Sequence, residues 1–175
     1  MRIAALAVLL ALSCAAALST AAPLAVGMRM PSITLADQHG VAGSVRPDTR
    51  CIVFSRDMDA AKIVKEALAD DAAALIPGAA AVIVSDISGM PSLVTKLFAL
   101  PALRKRPYSI LLDRDGKATA DIPAVSGKVT VLYLRGLTVE RIEYVDSADT
   151  LRATLHQLAQ PPAQERSNPS EPDGH

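Results

Sequence analysis

The chain has 175 residues, enough for one domain with its own core, and half of them are hydrophobic. Lys+Arg and Asp+Glu balance at 18 each, which excludes nucleic-acid binding by bulk charge. Trp is absent, and with only 3 Tyr and 2 Phe there is no aromatic platform for stacking single strands.

Residues Met1 to Ala21 read as a signal peptide, with Arg2 as its positive start, Ile3 to Leu12 as its apolar run and Ser19-Thr20-Ala21 as its small-residue cleavage site. The apolar run is shorter than the about 20 residues that a membrane span needs. Export to the periplasm, and a soluble protein after signal removal, are the expectation. An alternative at this end is a lipid anchor, because Ala11-Leu12-Ser13-Cys14 loosely resembles a lipobox. If residues 1–21 are removed, Cys51 is the one thiol left, so no internal disulfide can form and packing must hold the domain.

From residue 22 onward the pattern predicts a single domain over 22–160. Ile33-Thr34-Leu35 is a short strand, reversed by the polar turn Asp37-Gln38-His39-Gly40 into a hairpin. Cys51-Ile52-Val53-Phe54 is a continuous apolar run of the kind found in strands buried on both faces. Asp57-Met58-Asp59 then places acidic residues at a helix start. Ala60, Ile63, Val64, Ala67, Leu68 and Leu75 recur at helical spacing, and Pro77-Gly78 ends the helix. Val82-Ile83-Val84 is a second buried strand. Ser88 to Pro91 opens another helix, with Met90, Leu93, Val94, Leu97 and Phe98 as its apolar stripe and Pro101 as its stop. Strand, helix, strand, helix in this order predicts a parallel βαβ unit with a right-handed crossover.

Farther on, Tyr108 to Leu112 is predicted as a strand, Asp115-Gly116 as a hairpin turn and Lys117 to Asp121 as a short returning strand. Val129 to Leu134 and Val139 to Val145 form a further pair, turned by Arg135-Gly136. Ser147 caps a last helix whose buried face is Ala148, Leu151, Leu155 and Leu158. Residues 161–175, rich in Pro, Ser, Glu and Asn, predict a disordered tail.

Three phrases carry a family resemblance: Pro31-Ser-Ile-Thr-Leu-Ala-Asp-Gln-His-Gly40, Tyr108-Ser-Ile-Leu-Leu-Asp-Arg-Asp-Gly116, and Lys128-Val-Thr-Val-Leu-Tyr-Leu134 with the hairpin and helix after it. Together with the element order they resemble the thioredoxin-like superfamily, in its peroxiredoxin-like and thiol–disulfide oxidoreductase branch, and the small periplasmic YtfJ-like proteins. The resemblance spans about Pro31 to Leu158. It implies an α/β fold, a three-layer sandwich in which helices flank a central mixed β-sheet.

The departures from that family bear on function. Its oxidoreductases place a Cys-x-x-Cys pair at the helix that follows the Phe-ended strand, and here the resemblance puts those two slots on Asp59 and Lys62. Neither side chain can attack a disulfide, which needs a thiolate. The peroxiredoxin pattern of Thr ahead of a reactive Cys is missing too. The family's cis-proline would fall near Val129, where Thr130 remains but no proline does.

Among other candidates, Cys51 sits at a strand start rather than a helix N-terminus, and burial as a small hydrophobe fits it best. Ser55, Arg56 and Asp57 occupy the strand-to-helix corner, the exposed functional edge that the fold implies. Arg56 offers a fork for carboxylate or phosphate there, against repulsion from Asp57 and Asp59, while ordinary capping explains both acids. Arg104-Lys105-Arg106 could meet an acidic partner or an anionic membrane, but a solvated loop explains a run of three. Asp113, Arg114 and Asp115 lack the further ligands of a calcium loop. His39, His156 and His175 form no metal site or triad, and no nucleotide or flavin fingerprint occurs.

The expectation is therefore a thioredoxin-like protein of the bacterial envelope that binds a protein or peptide through the strand-to-helix corner, with Ser55, Arg56, Asp59 and Lys62, or through a sheet edge. It would use no cofactor, metal or nucleic acid and would have no catalytic residue. The alternatives are a thiol peroxidase using Cys51, a cofactor-dependent oxidoreductase, or an envelope component anchored through Cys14.

Overall fold

The computed structural model describes residues 22–160. The expected signal peptide, the alternative lipid anchor at Cys14 and the expected tail lie outside the described residues. Within them the elements run β1 (Thr34–Ala36), β2 (Ala42–Ser44), β3 (Cys51–Ser55), α1 (Met58–Ala67), α2 (Ala72–Gly78), β4 (Ala81–Asp86), α3 (Ser92–Val94), a π-helical turn (Thr95–Ala99), α4 (Leu100–Arg104), β5 (Leu111–Asp113), β6 (Val129–Arg135), β7 (Thr138–Val145) and α5 (Ala148–Ala159).

Five strands form one mixed sheet in the order β5-β4-β3-β6-β7. β3 pairs in parallel with β4, and β4 with β5, while β6 runs antiparallel to both β3 and β7. Alternation along each strand divides the core in two. Cys51, Val53, Ile83, Val129 and Val131 point to one face, where they meet Val64 of α1, Leu68 just after it, Leu75 of α2, and Leu151 and Leu155 of α5. Ile52, Phe54, Val84, Leu132 and Leu134 point to the other face. That face is covered by Leu24, Met30, Ile33, Val45 and Ile122, from the N-terminal segment, the β1–β2 hairpin and the loop before β6. Every residue of β3 is buried, as its continuous apolar run predicts.

Several sequence expectations change. The helix predicted through Leu75 breaks after Ala67 and restarts at Ala72. The adjacent acids Asp70 and Asp71 sit in the break, where Asp is better placed beside a helix start than inside a helix. Pro101 does not stop its helix. The π-helical turn widens the spiral just ahead of it, Leu100 N bonds back to Thr95 O, and helix continues to Arg104. That widening turns Thr95 and Leu100 inward and leaves Leu93, Val94, Leu97 and Phe98 exposed, so four of the five residues of the expected core stripe face outward.

The strand predicted over Tyr108 to Leu112 begins at Leu111 instead, because the buried Gln38 side chain takes the ladder bonds before it. Its Nε2 donates to Tyr108 O at 2.6 Å and its Oε1 accepts from Ile110 N at 2.8 Å. No strand returns after Asp115-Gly116. The Asp113 carboxylate, fully buried, accepts from Gly116 N at 2.9 Å, Thr119 N at 2.8 Å and Thr119 Oγ1 at 2.8 Å, and this curls the chain into successive turns.

Candidate functional site

The corner after β3 is assembled from long-range contacts made by Ser55, Arg56 and Asp57. Ser55, the last residue of β3, is buried and its hydroxyl lies 3.0 Å from Ser85 Oγ on the neighbouring strand. Arg56 follows. Its Nη2 donates to Thr119 O at 2.7 Å and to Ile122 O at 3.1 Å, and its Nε lies 3.4 Å from Asp86 Oδ2. Its guanidinium stands 5.2 Å from the centre of the Phe54 ring. The fork expected to await an anion is thus already spent on holding the 119–122 segment against the ends of β3 and β4.

Asp57 is extended and caps α1, with Oδ1 accepting from Ala60 N at 2.8 Å. Its other oxygen accepts from Gly127 N at 2.8 Å, so the same carboxylate fastens the loop before β6 to the start of the helix. Burial opposes its charge, but backbone N–H groups of Ala60, Gly127 and Asp59 outweigh that and hold the carboxyl below the usual carboxylate range.

Asp59 and Lys62 lie farther round the first turns of α1, both exposed, with Lys62 Nζ 4.0 Å from Glu66 Oε1. They share a cleft of about 640 Å³ between α1 and the start of α5, which Gly127, Asp146 and Arg152 also line. Arg152 closes one side, donating from Nη2 to Glu66 O at 2.9 Å and from Nε to Ala67 O at 3.2 Å. The structure therefore joins Asp59 to Lys62 but sets them apart from buried Ser55 and from the Arg56 clamp.

Cys51 occupies the opposite end of β3 from this corner and is fully buried. Desolvation pushes its thiol up to about 12, with the Arg50 charge opposing only weakly. Against its ordinary value of 9.0, that cuts the thiolate present at neutral pH by roughly 10³. Among the described residues no cluster of three His, Cys, Asp or Glu could hold a metal ion.

The sequence reading missed Asp86, Thr119, Ile122, Gly127 and Arg152. Only Asp86 had a local signal, as an Asp two residues ahead of Ser88, whose N–H its Oδ1 accepts at 2.9 Å.

A five-stranded sheet with this order, a helix capped at the end of its central strand and a hairpin ahead of it define a thioredoxin-like α/β fold. No protein-family model matches the chain, and no curated protein matches it in sequence. Solved structures do match. The peroxidoxin BcpB of Mycobacterium tuberculosis superposes with a TM-score of 0.54 at 18% identity, over 78% of this chain and 96% of that one. The thioredoxin domain of a thiol-disulfide oxidoreductase of Bacteroides vulgatus gives 0.51 at 13% identity, over 78% and 99%. An uncharacterized conserved protein of Geobacillus kaustophilus gives 0.52 at 16%, over 78% and 82%. The chain has the thioredoxin-like fold, and the structures it resembles include peroxiredoxin-like and thiol–disulfide oxidoreductase domains.

Proposed function

We propose that the protein is an exported thioredoxin-like binding protein that holds a protein or peptide partner without exchanging electrons with it. The observation that carries this reading is the state of the sulfur. The positions where the family resemblance expects a thiol pair hold Asp59 and Lys62, and the described cysteine, Cys51, is fully buried with its thiol raised to about 12. Disulfide exchange and peroxide reduction both start from an accessible thiolate. The partner's place is the cleft of Asp59 and Lys62, which offers both signs of charge to a polar segment. Arg56 supports that edge from behind by fixing the 119–122 segment, and Ser55 supports it from within.

The test uses protein recovered after export, its N-terminus read by mass spectrometry. Insulin reduction and peroxide consumption are expected to stay at the protein-free background, and Cys51 to label with a maleimide only once denaturant is added. Turnover that disappears in Cys51→Ala, or fast labelling of the folded protein, would overturn the reading.

A further inference from the structure

The sequence pattern of the segment after β4 asks for a buried stripe, and the fold leaves that stripe uncovered. Leu93 is 67% exposed, Val94 44%, Leu97 58% and Phe98 69%. They form two adjacent pairs on one helical run, 92–104, whose inward side is carried by Thr95 and Leu100. An isolated exposed Leu is ordinary, but four large apolar side chains on one helix face are a feature to account for.

The charge around that face is one-sided. Between Asp86 and Asp113 there is no Asp or Glu, whereas Lys96, Arg104, Lys105 and Arg106 all fall in this stretch of a chain that is otherwise balanced. Lys96, Arg104 and Lys105 are exposed. An exposed apolar face with basic residues on and beside the same helix is the pattern of a segment that lies in a membrane interface: the apolar side chains enter the acyl boundary and the cations meet anionic headgroups. The size of the strip favours a bilayer over a protein partner. Thirteen helical residues make a strip about 20 Å long and about 10 Å wide, far below the about 800 Å² per partner of a stable protein interface. A lipid surface needs no matching area. Among the described residues no helix is long and apolar enough to cross a membrane, so the contact would be peripheral.

We propose that the helical run 92–104 seats the protein on an anionic lipid bilayer, with Leu93, Val94, Leu97 and Phe98 inserted at the headgroup boundary and Lys96 and Lys105 facing the lipid charge. This stands apart from the binding role at the α1–α5 cleft, because it uses different residues.

The absence of Trp gives a local reporter: in Phe98→Trp the new side chain is the sole source of indole fluorescence. The protein as recovered after export is mixed with vesicles of phosphatidylglycerol and phosphatidylcholine in equal parts, or of phosphatidylcholine alone. The expected result is a blue shift and quenching by brominated lipid on the anionic vesicles only, with cosedimentation about tenfold or more above that with phosphatidylcholine. Lys96→Glu with Lys105→Glu, and separately Leu97→Ser with Phe98→Ser in the unlabelled chain, should each lower cosedimentation about tenfold while leaving thermal unfolding unchanged, since all four side chains are exposed. Unmoved emission on anionic vesicles would overturn the proposal, as would equal binding to both vesicle types. A lipid-free blue shift that accompanies a dimer mass in light scattering would also overturn it, by showing that a second copy covers the face.

Discussion

Asp57 serves two segments through its two oxygens. One satisfies Ala60 N at the start of α1, and the other holds Gly127 N ahead of β6, at 2.8 Å each. Replacement by Ala removes a cap, costing typically about 1 kcal/mol, and strips a partly buried N–H of its acceptor, costing about 1 more. We expect Asp57→Ala to lower unfolding free energy in urea by about 2 kcal/mol. Asp57→Asn should lose less, because an amide oxygen can still cap the helix while its NH₂ cannot accept from Gly127. Equal losses in the two variants would show that the cap on Ala60 contributes nothing, and an Asp57→Asn with no loss would show the same of the tie to Gly127. The Arg56 side chain makes the opposite point. Its place at the strand-to-helix corner suggests an open anion fork, yet its partners are carbonyls of Thr119 and Ile122, which no local pattern connects to it.

Elements whose identity follows from local chemistry were legible: β3 and β4 from continuous β-branched runs, α1 and α5 from Asp57 and Ser147 caps, and the β6–β7 turn from Gly136, where φ is 55° and left-handed geometry is required. What failed depends on distant side chains. Asp115-Gly116 reads as a hairpin turn until the buried Asp113 carboxylate is seen to capture the N–H groups that a returning strand would pair. The 92–104 stripe reads as core because its 3.6-residue spacing cannot reveal a π-helical turn that rotates it outward. The candidate site was legible only as a location, with Asp59 and Lys62 in place and Arg152 and Gly127 supplied by the far end of the chain. Gln38 carries the same lesson for the hairpin. Its amide imitates a strand residue toward Tyr108 and Ile110, and Arg104 Nε donates to its backbone oxygen at 3.0 Å. Gln38→Ala should therefore orphan two buried backbone groups and destabilise the fold by about 2–4 kcal/mol. It should also speed hydrogen exchange at Ile110 well ahead of exchange in β3. Unchanged protection at Ile110 would mean that water replaces the amide without loss.

Across the whole molecule, stability is set at two pH limits by groups that belong to different layers. On the acid side stand Asp57 and Asp37. Burial works against the Asp37 charge, but N–H groups of Val41 and His39 and the Ser109 hydroxyl hold it below the ordinary 3.8, as Ala60 and Gly127 do for Asp57. A carboxyl lowered in the folded state binds fewer protons there than when unfolded, so its contribution is complete above about pH 4–5 and is lost as pH falls through the folded value. On the alkaline side stands Cys51, raised from 9.0 to about 12 by desolvation. The folded thiol keeps its proton while the unfolded one ionises, so its contribution is complete below the unfolded value and declines as pH rises from 9.0 toward 12. The buried Tyr108 and Tyr133 phenols, both raised first by desolvation, add to the same decline above their ordinary 10.0. Urea midpoints should thus be flat near neutrality and fall on both sides. Asp57→Asn should shallow the acid limb alone, and Cys51→Ala the onset of the alkaline limb alone. An alkaline limb in Cys51→Ala that still begins near pH 9 would show the thiol reaching water in the folded state, and a thiol that reaches water could also reach a disulfide.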